Sequence, residues 1–184
     1  TGSVQFDYKF LNDFNLTVRG SHFSVNNSNE SFNKAYLNSG SLRTERSASA
    51  SHTRTLRDQV TALLNYKKSF NSHNISALVG TEYFKEKYFT FSAATRLSPT
   101  DLIYTMNVGS EANGVPYSYK TGYEIASVFG QVNYDFDYKY LLGFTFRNDG
   151  TSRLGNNQYD FFPGVSAGWN IHNKTSLLPQ KLKM

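Results

Sequence analysis

Residues 140–147 read YLLGFTFR and residues 161–171 read FFPGVSAGWNI, within a stretch running from Tyr123 to Ile171. Tyr140, Leu142, Phe144 and Phe146 alternate with Leu141, Gly143, Thr145 and Arg147. Phe161, Pro163, Val165, Ala167, Trp169 and Ile171 alternate with Phe162, Gly164, Ser166, Gly168 and Asn170. Side chains on a strand point to opposite faces with period two, so each run predicts a strand with one apolar face and one small or polar face. A soluble sheet shows the same alternation. The positions of the aromatic residues and the lengths of the connections decide what the apolar face touches.

Outward from this stretch the pattern repeats. Strands are expected over residues 3–10, 14–25, 42–70, 75–92 and 121–135, followed by the two opening runs. Val4, Phe6, Tyr8 and Phe10 oppose Gln5, Asp7 and Lys9. Leu16 and Val18 oppose Asn15, Thr17, Arg19 and Ser21. Leu56, Val60, Ala62, Leu64 and Tyr66 stand against Arg57, Gln59, Thr61 and Asn65. Ile75, Ala77, Val79 and Tyr83 stand against Ser76, Gly80 and Glu82, and Ala126, Val128, Val132 and Tyr134 against Ser127, Gln131 and Asn133. Short turns are expected at 12–13, 71–74 and 136–138, and long loops at 26–39, 93–120 and 148–158. One short helical turn is expected between Leu97 and Met106. In the last loop, Gly150 and Gly155 are read as positions of positive φ.

Short and long connections therefore alternate along the meander. Outer-membrane barrels have short periplasmic turns and longer external loops. The strands exceed the ~5–6 residues usual in soluble sheets and reach the ~9–11 that a lipid-spanning strand needs. Tyr8, Phe10, Phe14, Tyr66, Phe70, Tyr134, Phe136, Tyr138 and Tyr140 gather beside the short turns. A ring with a polar tip suits the boundary between membrane and water.

Composition agrees. The 184 residues include 15 Phe and 13 Tyr against 4 Pro. With no cysteine, disulfide frameworks and thiolate metal sites are excluded. No apolar run approaches the ~18 residues of a transmembrane helix. Mean hydropathy is negative, as it also is in barrels, where only alternate residues meet lipid. The net charge of +5 is dispersed along the chain, without the clustered Lys and Arg of a nucleic-acid binder.

Several segments carry a family likeness. They are Ser127-Val128-Phe129-Gly130-Gln131-Val132-Asn133-Tyr134, Lys139-Tyr140-Leu141-Leu142, Arg147-Asn148-Asp149-Gly150-Thr151-Ser152-Arg153-Leu154-Gly155 and Phe162-Pro163-Gly164-Val165-Ser166-Ala167-Gly168-Trp169. In order and spacing they resemble the barrel of SusC/RagA-type TonB-dependent transporters. Residues 64–70 and 79–83 share the likeness. Gln131 replaces a common Arg, Leu154 a Phe and Gly164 a Ser.

The resemblance implies an all-β fold: an antiparallel up-and-down meander of about seven long strands, part of a transmembrane barrel of about 22 strands with an N-terminal plug. It implies import of oligosaccharides or peptides across the cell outer membrane of a Gram-negative, Bacteroidetes-like bacterium. A SusD-like lipoprotein would serve as lid, the TonB complex would supply energy, and outer-membrane lipid would surround the wall. Residues 1–184 then read as a partial barrel domain, with plug, TonB box and C-terminal strands lying elsewhere. Two other readings stay open: a smaller porin- or adhesin-type barrel, and a soluble carbohydrate-binding β-sandwich.

Catalysis is not expected. His22, His52, His73 and His172 are too scattered to converge on a metal. Asp58 and Glu82 fall on opposite faces, unlike the paired carboxylates of a glycosidase. No phosphate loop or nucleophile elbow appears, and no cofactor is implied. Arg19, Arg57, Gln59, Glu82, Gln131, Asn133 and Arg147 share the polar parity of their strands and are expected to face the lumen, chiefly against the plug. Asp149, Gly150 and Arg153 are expected to order a loop, with Arg147 and Arg153 tying it by hydrogen bonds. Tyr104, Tyr117 and Tyr119, with Tyr123 nearby, are candidates for ligand or lid contact, with loop packing as the plainer alternative.

Overall fold

The computed structural model describes residues 1–155 and 159–171. Its strands are β1 (Gly2–Phe10), β2 (Phe14–Asn33), β3 (Tyr36–Asn38), β4 (Ser41–Arg43), β5 (Ser47–Phe70), β6 (His73–Arg96), β7 (Glu111–Ala112), β8 (Tyr117–Phe136), β9 (Tyr140–Thr151) and β10 (Tyr159–Trp169). The main sheet runs in the order β1-β2-β5-β6-β8-β9-β10, with β7 against β6, while β3 and β4 form a separate hairpin. This is the expected all-β meander with seven strands on its path.

The described residues form two compact units. One comprises Thr1, His22–Arg57 and Glu86–Gly122; the other holds Gly2–Ser21, Asp58–Lys85 and the chain from Tyr123 onward. The three short turns belong to the second unit. Leu11 and Asn12 take φ of 49° and 56°, Asn71 takes 52°, and Asp137 and Tyr138 take 54° and 53°. Two successive left-handed residues give a turn whose twist matches that of the flanking strands.

Register in the second unit sorts the residues by face. Val132 pairs with Phe144, Gln131 with Thr145, Asn133 with Gly143 and Phe129 with Arg147. Across β9 and β10, Phe144 pairs with Val165, Leu142 with Ala167 and Tyr140 with Trp169. On the face of Val132, Phe144 and Val165 apolar side chains thus sit opposite apolar ones, as cross-strand packing favours, while on the other face the Phe129–Arg147 pair sets a ring against a cation. On the apolar face a chain of rings passes from Phe6 to Tyr8, Phe10, Phe14 and Tyr66, with centroids 6.3, 5.7, 5.3 and 4.8 Å apart. Near the second short turn His73 stacks on Phe70 at 5.1 Å and donates to or accepts from the Tyr134 hydroxyl at 2.7 Å.

The strands are longer than expected in several places. The segment 26–39 is not one loop: β2 continues to Asn33, and the small β3–β4 hairpin follows. The third long strand accordingly begins at Ser47 rather than residue 42. Its polar start is held by side-chain rungs, Ser31 Oγ to Ser49 Oγ at 2.7 Å, Asn33 Nδ2 to Ser47 Oγ at 2.9 Å and Ser28 Oγ to His52 Nδ1 at 3.0 Å. Pairing there needs no apolar face, so the sequence shows no alternation to read. The loop expected over 93–120 shrinks for the same reason, since β6 reaches Arg96 and β8 starts at Tyr117. The helical turn expected between Leu97 and Met106 falls at the end of that range and beyond it, as a 3-10 turn at Met106–Val108. The last loop also shortens, because β9 extends through Thr151 and β10 begins at Tyr159.

A β-sandwich would cover the apolar face with a second sheet. Among the described residues the one buried hydrophobic residue is Ala48, whereas Val132, Phe144 and Val165 are 44%, 46% and 82% exposed. The apolar face is open along its length, which removes the sandwich reading and suits a face that meets lipid. The two faces should therefore respond oppositely to charge. In the complete protein, Val132→Arg is expected to cost about 2–4 kcal/mol of barrel stability, whereas the adjacent Gln131→Arg is tolerated. Urea unfolding of the purified barrel, followed by loss of its heat-modifiable gel band, measures both.

Candidate functional site

The polar face of the second unit is a run of short side chains and ion-pairing groups placed by strand alternation. On β1 and β2, Arg19 Nε donates to Gln5 Oε1 at 3.0 Å and the Thr17 hydroxyl donates to Asp7 Oδ1 at 2.6 Å. On β5 and β6, Gln59 Nε2 donates to Glu82 Oε2 at 2.9 Å. On β8 and β9, Arg147 Nε lies 2.7 Å from Asp149, its Nη2 lies 3.2 Å from Ser127 Oγ, and its guanidinium lies 5.2 Å from the Phe129 ring centroid. Gln131 Nε2 donates to Asn133 Oδ1 at 3.1 Å. Arg57 belongs to the other unit, where it pairs with Glu86 at 2.7 Å and sits over Phe23 at 5.5 Å.

Six of the seven expected lumen residues thus join side-chain hydrogen bonds on one face of the second unit, Gln131 and Asn133 along β8 and the others across strands, and the seventh pairs across strands in the first. Exposed pairs of this kind contribute little stability one by one. Their effect is to orient long side chains, so the face presents a fixed pattern of donors and acceptors. Gln5, Asp7 and Thr17 complete it. They carry the same alternation signal in the sequence, but only register shows which of them touch.

Two expectations about the loop motif change. Asp149 and Gly150 lie in β9, not in a loop, and among the described residues the glycines with positive φ are Gly40 and Gly114. Gly150 is needed for space instead: a Cβ there would run into the ring of Tyr159, its β10 partner. Asp149 and Arg147 share a face two residues apart, so their ion pair braces the strand rather than a turn. Arg153 stacks on Tyr123, with its guanidinium 4.0 Å from the ring centroid, and Tyr123 in turn packs on Phe84 at 5.6 Å.

The tyrosine candidates separate. Tyr104 meets Phe32 edge-on at 5.1 Å and has Lys34 Nζ 5.2 Å from its ring centroid, which is loop packing. Tyr117 and Tyr119 are strand residues at the start of β8 and are 55% and 48% exposed. His52 and His73 bond to Ser28 and Tyr134, and His172 lies outside the described residues. Among the described residues no group of three or more His, Cys, Asp or Glu could hold a metal ion. No helix among them is long and apolar enough to cross a membrane.

The first unit contains an anchor that the sequence does not announce. Asp101, in the long loop, accepts Arg46 Nε at 2.7 Å, Arg46 Nη2 at 3.1 Å and the Ala35 backbone N–H at 3.0 Å. These bonds join segments 55 and 66 residues away in the chain, a separation that no local motif encodes. The Arg46 bonds, then the Ala35 N–H, hold the Asp101 carboxyl below its ordinary value of 3.8. The same bond raises the Arg46 guanidinium.

No protein-family model matches the chain. Over 116 residues it is 38% identical to TonB-dependent receptor P3 of Formosa agariphila, a match covering 62% of this chain and 12% of that protein. Over 115 residues it is 30% identical to TonB-dependent receptor SusC of Bacteroides thetaiotaomicron, covering 62% and 11%. In three dimensions it superposes on the RagAB peptide transporter with a TM-score of 0.87 at 22% identity, covering 94% of this chain and 20% of that one. The chain thus spans about an eighth of the curated relatives it matches. In sequence the chain is thus similar to TonB-dependent receptors, SusC among them, and its fold is that of the matching part of the RagAB transporter structure.

The depressed carboxyl gives the anchor a definite pH dependence. Its folded value lies below the unfolded one, so its stabilisation is present above pH 3.8 and fades as pH falls through the lowered value. In the complete protein, hydrogen-exchange protection of the Ala35 amide, corrected for intrinsic rate, should persist to below that pH and then drop. Asp101→Ala should remove it at neutral pH while the protection of β8 and β9 stays unchanged.

Proposed function

We propose that this chain forms part of the wall of an outer-membrane importer that takes up oligosaccharides or peptides, with a SusD-like surface lipoprotein as its lid and the TonB complex as its energy source. The observation that carries the reading is the two-faced meander, with its apolar face open, its polar face hydrogen-bonded and its connections alternating short and long. Outer-membrane barrels combine an apolar outward face, a polar inward face and short turns alternating with longer loops. The sequence similarity to TonB-dependent receptors favours this class over a smaller porin- or adhesin-type barrel.

On this reading residues 1–184 are part of a barrel domain whose plug, TonB-contacting segment and remaining strands lie elsewhere in a longer polypeptide. β1 and β10 are the outermost strands of the main sheet. In hydrocarbon an unpaired edge costs several kcal/mol for each unsatisfied backbone group, so further strands must close both. Arg19, Gln59, Glu82, Gln131, Asn133 and Arg147 then face the lumen and contact the plug, while Tyr117 and Tyr119 stand on the external side, where lid or ligand arrives. The role is passage and containment rather than catalysis.

The reading has a direct test in the native host. Deletion of the complete gene should abolish growth on one class of oligosaccharide or peptide, and loss of TonB should do the same. An affinity tag on the complete barrel should recover a surface lipoprotein in equal amount. Uptake that survives loss of TonB, or a barrel recovered without any lipoprotein, would overturn the corresponding part of the proposal.

A further inference from the structure

The first unit contains a groove of about 440 Å³ whose lining includes Arg54, Leu56, Lys87, Phe89 and Lys120. Lys120 Nζ lies 5.5 Å from the centroid of the Phe89 ring, and His52 approaches the same ring at 6.5 Å. Arg57 and Glu86 meet on the opposite face of β5 and β6. The three cations and the two apolar residues therefore share the face that Leu56 shares, by alternation, with Val60, Ala62 and Leu64 farther along β5.

Strand length places this groove relative to lipid. A spanning strand needs ~9–11 residues. Counting that far along β5 from the aromatic ring of Tyr66 arrives near Leu56, and Arg54 comes next on the same face. Along β6 the same count from His73 ends near Tyr83, with Lys87 beyond it. Along β8 it runs from Phe136 to about Ala126, with Lys120 beyond. On the barrel reading these counts put Arg54, Lys87 and Lys120 two, four and six residues beyond the spanning stretch along their own strands, on the parity of the apolar side chains and away from the short turns.

The charge there is uncompensated. Two residues before Lys87 on the same face of β6, Lys85 contacts the Glu124 carboxylate, which also accepts the Tyr83 hydroxyl at 2.7 Å. Among the described residues Arg54, Lys87 and Lys120 are in no ion pair. Each is exposed, while Leu56 and Phe89 are half-buried beneath them. Three cations converging over an apolar floor match a ligand with a phosphate at one end and a hydrocarbon chain at the other.

We infer that the groove formed by Arg54, Lys87 and Lys120 over Leu56 and Phe89 binds a phosphate-bearing lipid of the external leaflet. The phosphate is held by the three cations, and an acyl chain runs over Leu56 toward the apolar face. The inference rests on the barrel reading above, because only that reading brings lipid to this face. It adds a specific lipid site to a wall that would otherwise meet lipid without selection. The physical effect is to pin the barrel at a fixed depth, since a phosphate bound at three points resists vertical sliding more than apolar contact does.

The test uses the complete receptor, extracted from outer membranes in mild detergent and analysed by native mass spectrometry. Phosphorylated lipid A, the same lipid stripped of phosphate, and inorganic phosphate serve as probes. The wild type should retain one phosphorylated lipid A per barrel and not its dephosphorylated form, and millimolar inorganic phosphate should not displace it. The combined variant Arg54→Gln, Lys87→Gln, Lys120→Gln should lower that occupancy at least about tenfold, given the strength of charge-assisted bonds. The charge-keeping variant Arg54→Lys, Lys87→Arg, Lys120→Arg should restore it. Equal retention by the Gln variant, equal retention of the dephosphorylated lipid, or displacement by inorganic phosphate would each overturn the lipid site while leaving the barrel reading intact. Absence of the wild-type barrel from the outer-membrane fraction would overturn both.

Discussion

The rest of the structure depends on a coupling between backbone hydrogen bonds and side-chain parity. A strand that meets hydrocarbon must bond all its N–H and C=O groups to neighbouring strands, because lipid offers no partners. Once paired, it has only two faces, and each residue is committed to one of them. A slip of one residue would move every apolar side chain to the polar face. The register in which Val132 faces Phe144 and Gln131 faces Thr145 is therefore the condition for both surfaces at once: one that lipid can wet and one that carries ordered polar groups.

Each surface is then elaborated differently along the strands. In the second unit the apolar face ends in rings beside the short turns, where Phe10, Phe14 and Tyr66 stack in series and polar tips can meet water. In the first unit the make-up of the strands is different. There Ser, Thr and Asn rungs such as Ser31 with Ser49 replace apolar contacts. The same face changes from aliphatic to basic along β5, between Leu56 and Arg54. That change in chemistry without a change in backbone makes a lipid headgroup site physically reasonable in the groove.

The polar face shows why isolated candidate residues are hard to rank from a sequence. Arg147 is conspicuous as a cation next to Asp149, yet its role is set by Ser127 and Phe129, which lie on the neighbouring strand. Gly150 is conspicuous as the glycine of an Asp-Gly pair, and the turn reading follows naturally. In the fold it is extended, and what excludes a side chain is the ring of Tyr159 across the β9–β10 ladder. In both cases the local pattern identifies an unusual position, and a non-local neighbour decides its meaning.

Alternation, aromatic placement and the rhythm of connections are local properties. From them the sequence by itself determined the all-β class, the seven-strand meander, the two faces and the direction from short turns to long loops. They suffice because period-two geometry converts residue order directly into face. Only the tertiary structure decided where β2, β5, β6 and β8 end, since polar extensions are held by partners on other strands and leave no hydrophobic period. It alone joined Asp101 to Arg46 and Ala35, and it alone gathered Arg54, Lys87 and Lys120 into one groove. Those residues come from three strands, and their convergence is a consequence of register, which no single strand contains.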